Sequence, residues 1–88
     1  MSRKSEFRKK LVGFLPEKSV DYIVEVIIDN NIHLIIANPR KTKLGDFKPP
    51  LKNNPARITV NGDIEKYEFL MTFMHELAHF NAWKKYKQ

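Results

Sequence analysis

The sequence contains no cysteine. Disulfides and thiolate metal ligands are therefore excluded, and a reducing compartment suits the chain. No apolar run approaches the ~20 residues that cross a bilayer. Leu11-Val12-Gly13-Phe14-Leu15 is too short for the core of a secretion signal, and Pro16-Glu17-Lys18 offers no cleavage site. The expectation is a cytoplasmic chain with no membrane partner. Glycine is scarce, with three residues in 88, and none falls in a phosphate-cradling loop. Internal repeats and low-complexity tracts are absent as well.

What the chain does have is enough apolar residues for one modest core, and a length that fits a single domain. Sixteen Lys and Arg against ten Asp and Glu give a formal charge of +6. The excess lies in residues 1–18, in 40–57 and in the tail Lys84, Lys85 and Lys87. Such clustering makes either a solvated face or a surface for an anionic partner, nucleic acid first.

Residues 5–14 read as a short basic amphipathic helix with Phe7, Leu11 and Phe14 in register, ended by Gly13 and Pro16. Val20, Ile23, Val24, Ile27 and Ile28 form the stripe of a helix packed on a core, and Asn30-Asn31 supplies a left-handed stop. Ile32–Ala37 is β-branched and predicts a strand. After the turn signal Asn38-Pro39-Arg40, Lys41–Phe47 alternates loosely and predicts a hairpin with that strand, with Gly45 as a bulge. Pro49-Pro50 to Pro55 is a polar loop. Arg57–Asn61 predicts a third strand with Ile58 and Val60 on one face, and Asp63 is the expected cap of a last helix over 64–86. Along that helix Ile64, Tyr67, Leu70, Met71, Met74, Leu77, Ala78 and Asn81 form one face. Phe69, Phe73 and Phe80 form a second stripe, and Thr72, His75 and His79 a third. A helix apolar on so many sides is expected at the buried centre of a domain.

Within it, Met74-His75-Glu76-Leu77-Ala78-His79 reads H-E-x-x-H. Histidines four positions apart lie about 40° apart around a helix, one turn along the same face, so both imidazoles reach one ion. Glu76 is about 100° round from His75, placed to take a proton without being a ligand. A catalytic zinc takes three protein donors and a water, and a carboxylate beside that water serves as general base in attack on a carbonyl. His75 and His79 are therefore the candidate zinc ligands and Glu76 the candidate catalytic residue. The plain alternative is that they are ordinary helix residues, hydrogen-bonded or partly exposed. The metzincin continuation is absent, since Ala82 and Lys85 stand where it needs glycine and histidine. Phe80 to Gln88 holds no His, Asp, Glu or Cys. The remaining histidine, His33, lies in a predicted strand as a sheet-face residue.

The chain resembles the SprT-like zinc metallopeptidases, the family that includes the Spartan proteases. The order of helix, small sheet and H-E-x-x-H helix carries the resemblance, with the helix text Tyr67-Glu68-Phe69-Leu70-Met71-Thr72-Phe73-Met74-His75-Glu76-Leu77-Ala78-His79 and with Trp83 after it. Arg40-Lys41-Thr42-Lys43-Leu44-Gly45-Asp46-Phe47-Lys48-Pro49-Pro50 is similar to the short bacterial members. The match runs from about Val20 to Tyr86. It implies an α+β, zincin-like fold: N-terminal helices, a small three-stranded, mostly antiparallel sheet, and a long C-terminal motif helix. It implies a Zn2+-dependent metalloprotease acting on protein substrates, with Glu76 as general base and His75 and His79 on the metal. Spartan-type members act on proteins bound to DNA. The resemblance further implies a third ligand, a histidine after the motif helix. Residues 1–88 do not contain it, so the expectation is the N-terminal part of such a domain. Two histidines hold zinc weakly unless water or a neighbouring chain completes the shell, and this chain is expected to be inactive alone. In zincins an extended substrate pairs with an edge strand above the metal, and either Lys41–Phe47 or Arg57–Asn61 is the expected edge.

Two other readings stand beside this one. A basic nucleic-acid-binding module would use the charge excess, with Trp83 and Tyr86 beside lysines and with structural histidines. An inactive fragment would expose Phe69, Phe73 and Phe80 and self-associate through that helix surface.

Overall fold

The computed structural model describes residues 3–38 and 43–87. The element order is α1 (Arg3–Leu11), α2 (Glu17–Asp29), β1 (Ile32–Ala37), β2 (Gly45–Lys48), β3 (Ala56–Asn61) and α3 (Lys66–Lys87). The chain is thus α+β, with three helices, a small mixed sheet and a long C-terminal helix. Among the described residues no helix is long and apolar enough to cross a membrane.

Helix α2 follows its sequence closely. Val20, Ile23, Val24 and Ile27 are buried along one stripe. Pro16 stands one residue ahead of the helix, and its carbonyl accepts from the backbone N–H of Ser19 at 2.9 Å and from its hydroxyl at 2.7 Å. At the far end the Asn30 side chain donates to the Val26 carbonyl, and Asn31 takes the left-handed conformation, φ 52°, as expected for a residue type that tolerates it. Leu11 and Leu15 seal α1 onto α2. The ion pairs Lys4–Glu25 and Arg8–Asp21 between these helices are exposed and add little.

The sheet corrects the hairpin. Strand order is β1-β3-β2, so β3 lies between the two strands expected to pair. β1 runs parallel to β3 from Ile32↔Ala56 to Ala37↔Asn61, and β2 runs antiparallel to β3 from Gly45↔Val60 to Lys48↔Arg57. The sheet is mixed rather than mostly antiparallel. The central place goes to the segment that buries best. Ala56, Ile58 and Val60 are all buried, and Ile58-Thr59-Val60 is a β-branched run suited to two neighbours. β2 carries Asp46 and Lys48 and stops at Pro49-Pro50, which are the marks of an edge. Arg57–Asn61 is therefore excluded as a substrate-binding edge. Residues 39–42, where the predicted turn and the start of the second strand fall, lie outside the described residues. The loop after β2 closes on a bridge between Leu51 and Asn54, with Lys52 left-handed at φ 49°.

All three helices cover one face of the sheet. Ile58, Val60, Leu11, Leu15, Val20, Ile23, Phe69 and Phe73 belong to a single core. The second stripe of α3 is the one that turns inward: Phe69, Phe73 and Phe80 are buried. Tyr67 and Met71, from the face expected to be apolar contact, are 66% and 68% exposed. Neither a helix buried on most sides nor exposed phenylalanines is found. The helix starts at Lys66, and Glu65 rather than Asp63 caps it, its carboxylate accepting from the N–H groups of Tyr67 and Glu68.

Gly45 is where β2 meets α3. A Cβ there would stand 2.6 Å from Thr72 Cγ2 and 3.2 Å from Glu76 Cγ and Oε2, so the strand begins on a close approach and not on a bulge. Gly45→Ala is expected to cost about 1–3 kcal/mol. Gly13→Ala, with nothing within 4 Å of its added methyl, is expected to be neutral or stabilising by up to about 1 kcal/mol. Phe73→Ala should remove about 3–5 kcal/mol. Urea titrations of the three variants check all of these values.

Candidate metal centre

The rotation of α3 decides what its motif residues face. With Phe73 pointing into the core, residues two and six positions later fall about 160° and 120° away. His75 and His79 are accordingly exposed, and His75 lies beside the start of β2, lining a depression with Leu44 and Gly45. Their Nε2 atoms are 3.3 Å apart, with ring centroids at 4.8 Å and planes at 88°. At that distance one ring donates a hydrogen bond to the other, or both lone pairs converge on one cation. Two nitrogens about 2.05 Å from a tetrahedral zinc stand about 3.3 Å apart, so the pair fits one edge of such a shell without rearrangement.

Glu76 sits at the boundary. It is 8% exposed and is one of two buried polar side chains among the described residues. Its carboxylate lies under Gly45, and none of the described residues gives it a hydrogen bond or an ion pair. A buried polar group without partners forfeits about 1–3 kcal/mol, more if charged. Native chains keep such groups chiefly where chemistry or an unseen ligand uses them.

His75 and Glu76 line a depression with Leu44, Gly45, Glu68, Met71 and Thr72. Its wall is held by Asn61, 2% exposed, whose Nδ2 donates to the Lys43 carbonyl and whose backbone N–H donates to the Leu44 carbonyl, both at 2.9 Å. These bonds fix the approach to β2 and hence the height of Gly45 over Glu76. Sequence reasoning missed both positioning residues. Gly45 did carry a signal, since a lone glycine in a strand marks a close backbone approach as readily as a bulge. Asn61 carried none beyond being a polar residue at a strand end.

His33 is not brought to this site. It is exposed on β1, the opposite edge of the sheet, paired across to Arg57. Among the described residues no three His, Cys, Asp or Glu side chains group as metal donors. The remaining residues are Met1, Ser2, Pro39, Arg40, Lys41, Thr42 and Gln88, none of them such a donor. The donor set is therefore two imidazoles beside one buried carboxylate.

The uncovered sheet face carries a different grouping. Arg57 is paired with His33 on one side and Lys48 on the other, so these three exposed side chains form a row across all three strands. The cations Arg57 and Lys48, directly across the sheet from each other, repel, and an anion laid there relieves that repulsion. Trp83 is not part of it. Its ring stacks on Phe80 at 6.3 Å, and Lys84 lies over Phe80 and reaches Asn30 Oδ1 at 3.3 Å.

Comparison of the chain with known protein families, curated proteins and solved structures found no match in any of the three.

Proposed function

We propose that this chain carries the metal-holding and proton-accepting part of a zincin-like, SprT-like zinc peptidase site. His75 and His79 hold the ion and Glu76 acts as general base. The observation that carries this is the pairing of two imidazole nitrogens at tetrahedral-edge spacing with a buried carboxylate that has no partner among the described residues. A bound zinc supplies an acidified water and polarises the carbonyl it meets. The protein's own part is threefold. His75 and His79 orient two nitrogens on an exposed helix surface. Glu76 receives a proton on a carboxylate oxygen at the floor of the depression, where burial keeps water from competing for it. The edge of β2 offers backbone groups to an extended protein substrate, which is the strand-addition mode of peptide binding.

A second reading, nucleic-acid binding, is favoured by the His33–Arg57–Lys48 row. It uses the other side of the sheet and is compatible with the first, as in proteases that act on DNA-bound proteins.

His75→Ala and His79→Ala should each sharply weaken zinc binding, read by calorimetric titration of the chain with zinc. Glu76→Gln should keep the zinc and lower peptide hydrolysis about 10²–10⁴-fold, assayed with zinc and millimolar imidazole as an exogenous third nitrogen donor. Equal zinc content in wild type and a His75→Ala/His79→Ala variant removes the metal reading. For the second reading, Arg57→Glu and Lys48→Glu should each weaken binding to a DNA duplex and reduce the slope of log affinity against log salt by about one or more. Unchanged binding in both variants ends that assignment.

A further inference from the structure

The two edges of the sheet are built differently. β2 carries charge and stops at a proline pair. β1, Ile32-His33-Leu34-Ile35-Ile36-Ala37, holds no Asp, Glu, Lys, Arg, Pro or Gly. It ends the strand order, and among the described residues no strand pairs with its outer side. Native edges are ordinarily blunted by charge, by proline, by a bulge or by a covering element. β1 has neither charge nor proline, and beside it lies an apolar groove. We infer that β1 is a docking edge, to which an extended segment of a partner protein, alternating apolar and acidic residues, adds as a fourth strand.

The register of β1 shows what it offers. The Ala37 carbonyl accepts from the Gly62 N–H at 2.9 Å, and Gly62 directly follows Asn61, the β3 residue paired with Ala37. Ala37 therefore turns its backbone groups towards β3. Backbone direction and side-chain face both alternate along a strand, so His33 and Ile35 do the same. Leu34 and Ile36 then present their N–H and C=O groups to the outer side.

The side chains of Leu34 and Ile36 share the helix-covered face with buried Ile32, and both are half-buried. They line the groove with Phe7, Lys10 and Leu11 of α1 and Ile27 of α2. A strand laid against β1 directs every second side chain over this groove. Backbone bonds then supply affinity, and the groove selects apolar residues at alternate positions.

Charge selects the rest of the occupant. α1 divides its cations between two flanks. Lys4 and Arg8 pair with Glu25 and Asp21 of α2. Lys10 lines the groove instead, and Arg3 lies over the ring of Phe7, 5.8 Å from its centroid. Among the described residues neither Arg3 nor Lys10 forms an ion pair with a carboxylate, although Glu6 falls on the same flank of the helix. Acidic residues of a docked strand meet these two cations. A second copy is a poorer occupant, because β1 set against β1 brings two basic α1 helices to one seam, and each chain carries a formal +6. β1 and β2 are opposite edges, so docking leaves the depression at Gly45 open and does not depend on the metal reading.

Titration of the 88-residue chain with a capped ten-residue peptide of alternating valine and glutamate tests this, read by calorimetry and by amide hydrogen exchange. The expected result is binding that weakens as salt is raised. With free peptide at about ten times its dissociation constant, exchange at Leu34 and Ile36 should slow about tenfold, while exchange at Ile35 stays as it was. Lys10→Glu, at an exposed position, should weaken this peptide about tenfold or more and tighten one with lysine in place of glutamate. Absence of binding overturns the docking edge. Binding that leaves Leu34 and Ile36 exchange unchanged overturns strand addition. Equal binding of the lysine peptide by the unaltered chain overturns the acidic occupant. Protection of Leu34 and Ile36 that rises with chain concentration alone, together with a dimer in sedimentation, overturns the proposal in favour of a second copy.

Discussion

The phase of α3 against the sheet is the constraint on which the rest depends. Phe69, Phe73 and Phe80 recur at helical spacing and are buried to the last few per cent of their surface. Three buried aromatic side chains are worth several kcal/mol each relative to truncation, so they set the rotation of the helix with little freedom. Everything at the motif follows. His75 and His79 are carried outward, and Glu76 is left at the seam where β2 crosses the helix. No local preference of histidine or glutamate could choose these positions. Packing elsewhere on the same helix chooses them.

The same logic explains which parts of the fold were legible. α2 has one apolar stripe and charged residues opposite, so its buried face could be read directly. β1 and β3 are β-branched, and their inward positions were legible by alternation. α3 has apolar residues on several faces, and periodicity alone does not say which of them the sheet will cover. Aromatic volume decides that, because phenylalanines fill the space against Ile58 and Val60 better than Met71 and Tyr67 do. Strand pairing was illegible for a different reason. A short turn signal after β1 suggests the next segment as its partner, yet a central strand gains from two neighbours, and β3 is the segment with the composition to use both. Within the candidate site, the nearness of His75 and His79 followed from their spacing. Gly45 and Asn61, which hold β2 at its working distance, act through tertiary contacts that no spacing encodes.

Covering only one face of the sheet keeps the surfaces of the two proposed functions apart. Arg57, His33 and Lys48 stand on the uncovered side, while His75 and Glu76 lie on α3 beside the start of β2. The core lies between them. An anionic polymer on the open face would leave the depression at Gly45 accessible, and the charge excess in Lys48 and Lys52 would hold it close to the edge where a peptide would pair. The two readings therefore do not compete for surface, and a variant in one row need not disturb the other.

The donor count is the harder matter, and it governs what the site can be. In the proposed metal reading, two imidazoles on one helical turn would orient a cation without saturating it, and the remaining positions would belong to whatever approaches the exposed stripe. If that is water and a further nitrogen donor, an open position remains and Glu76 has a proton to accept.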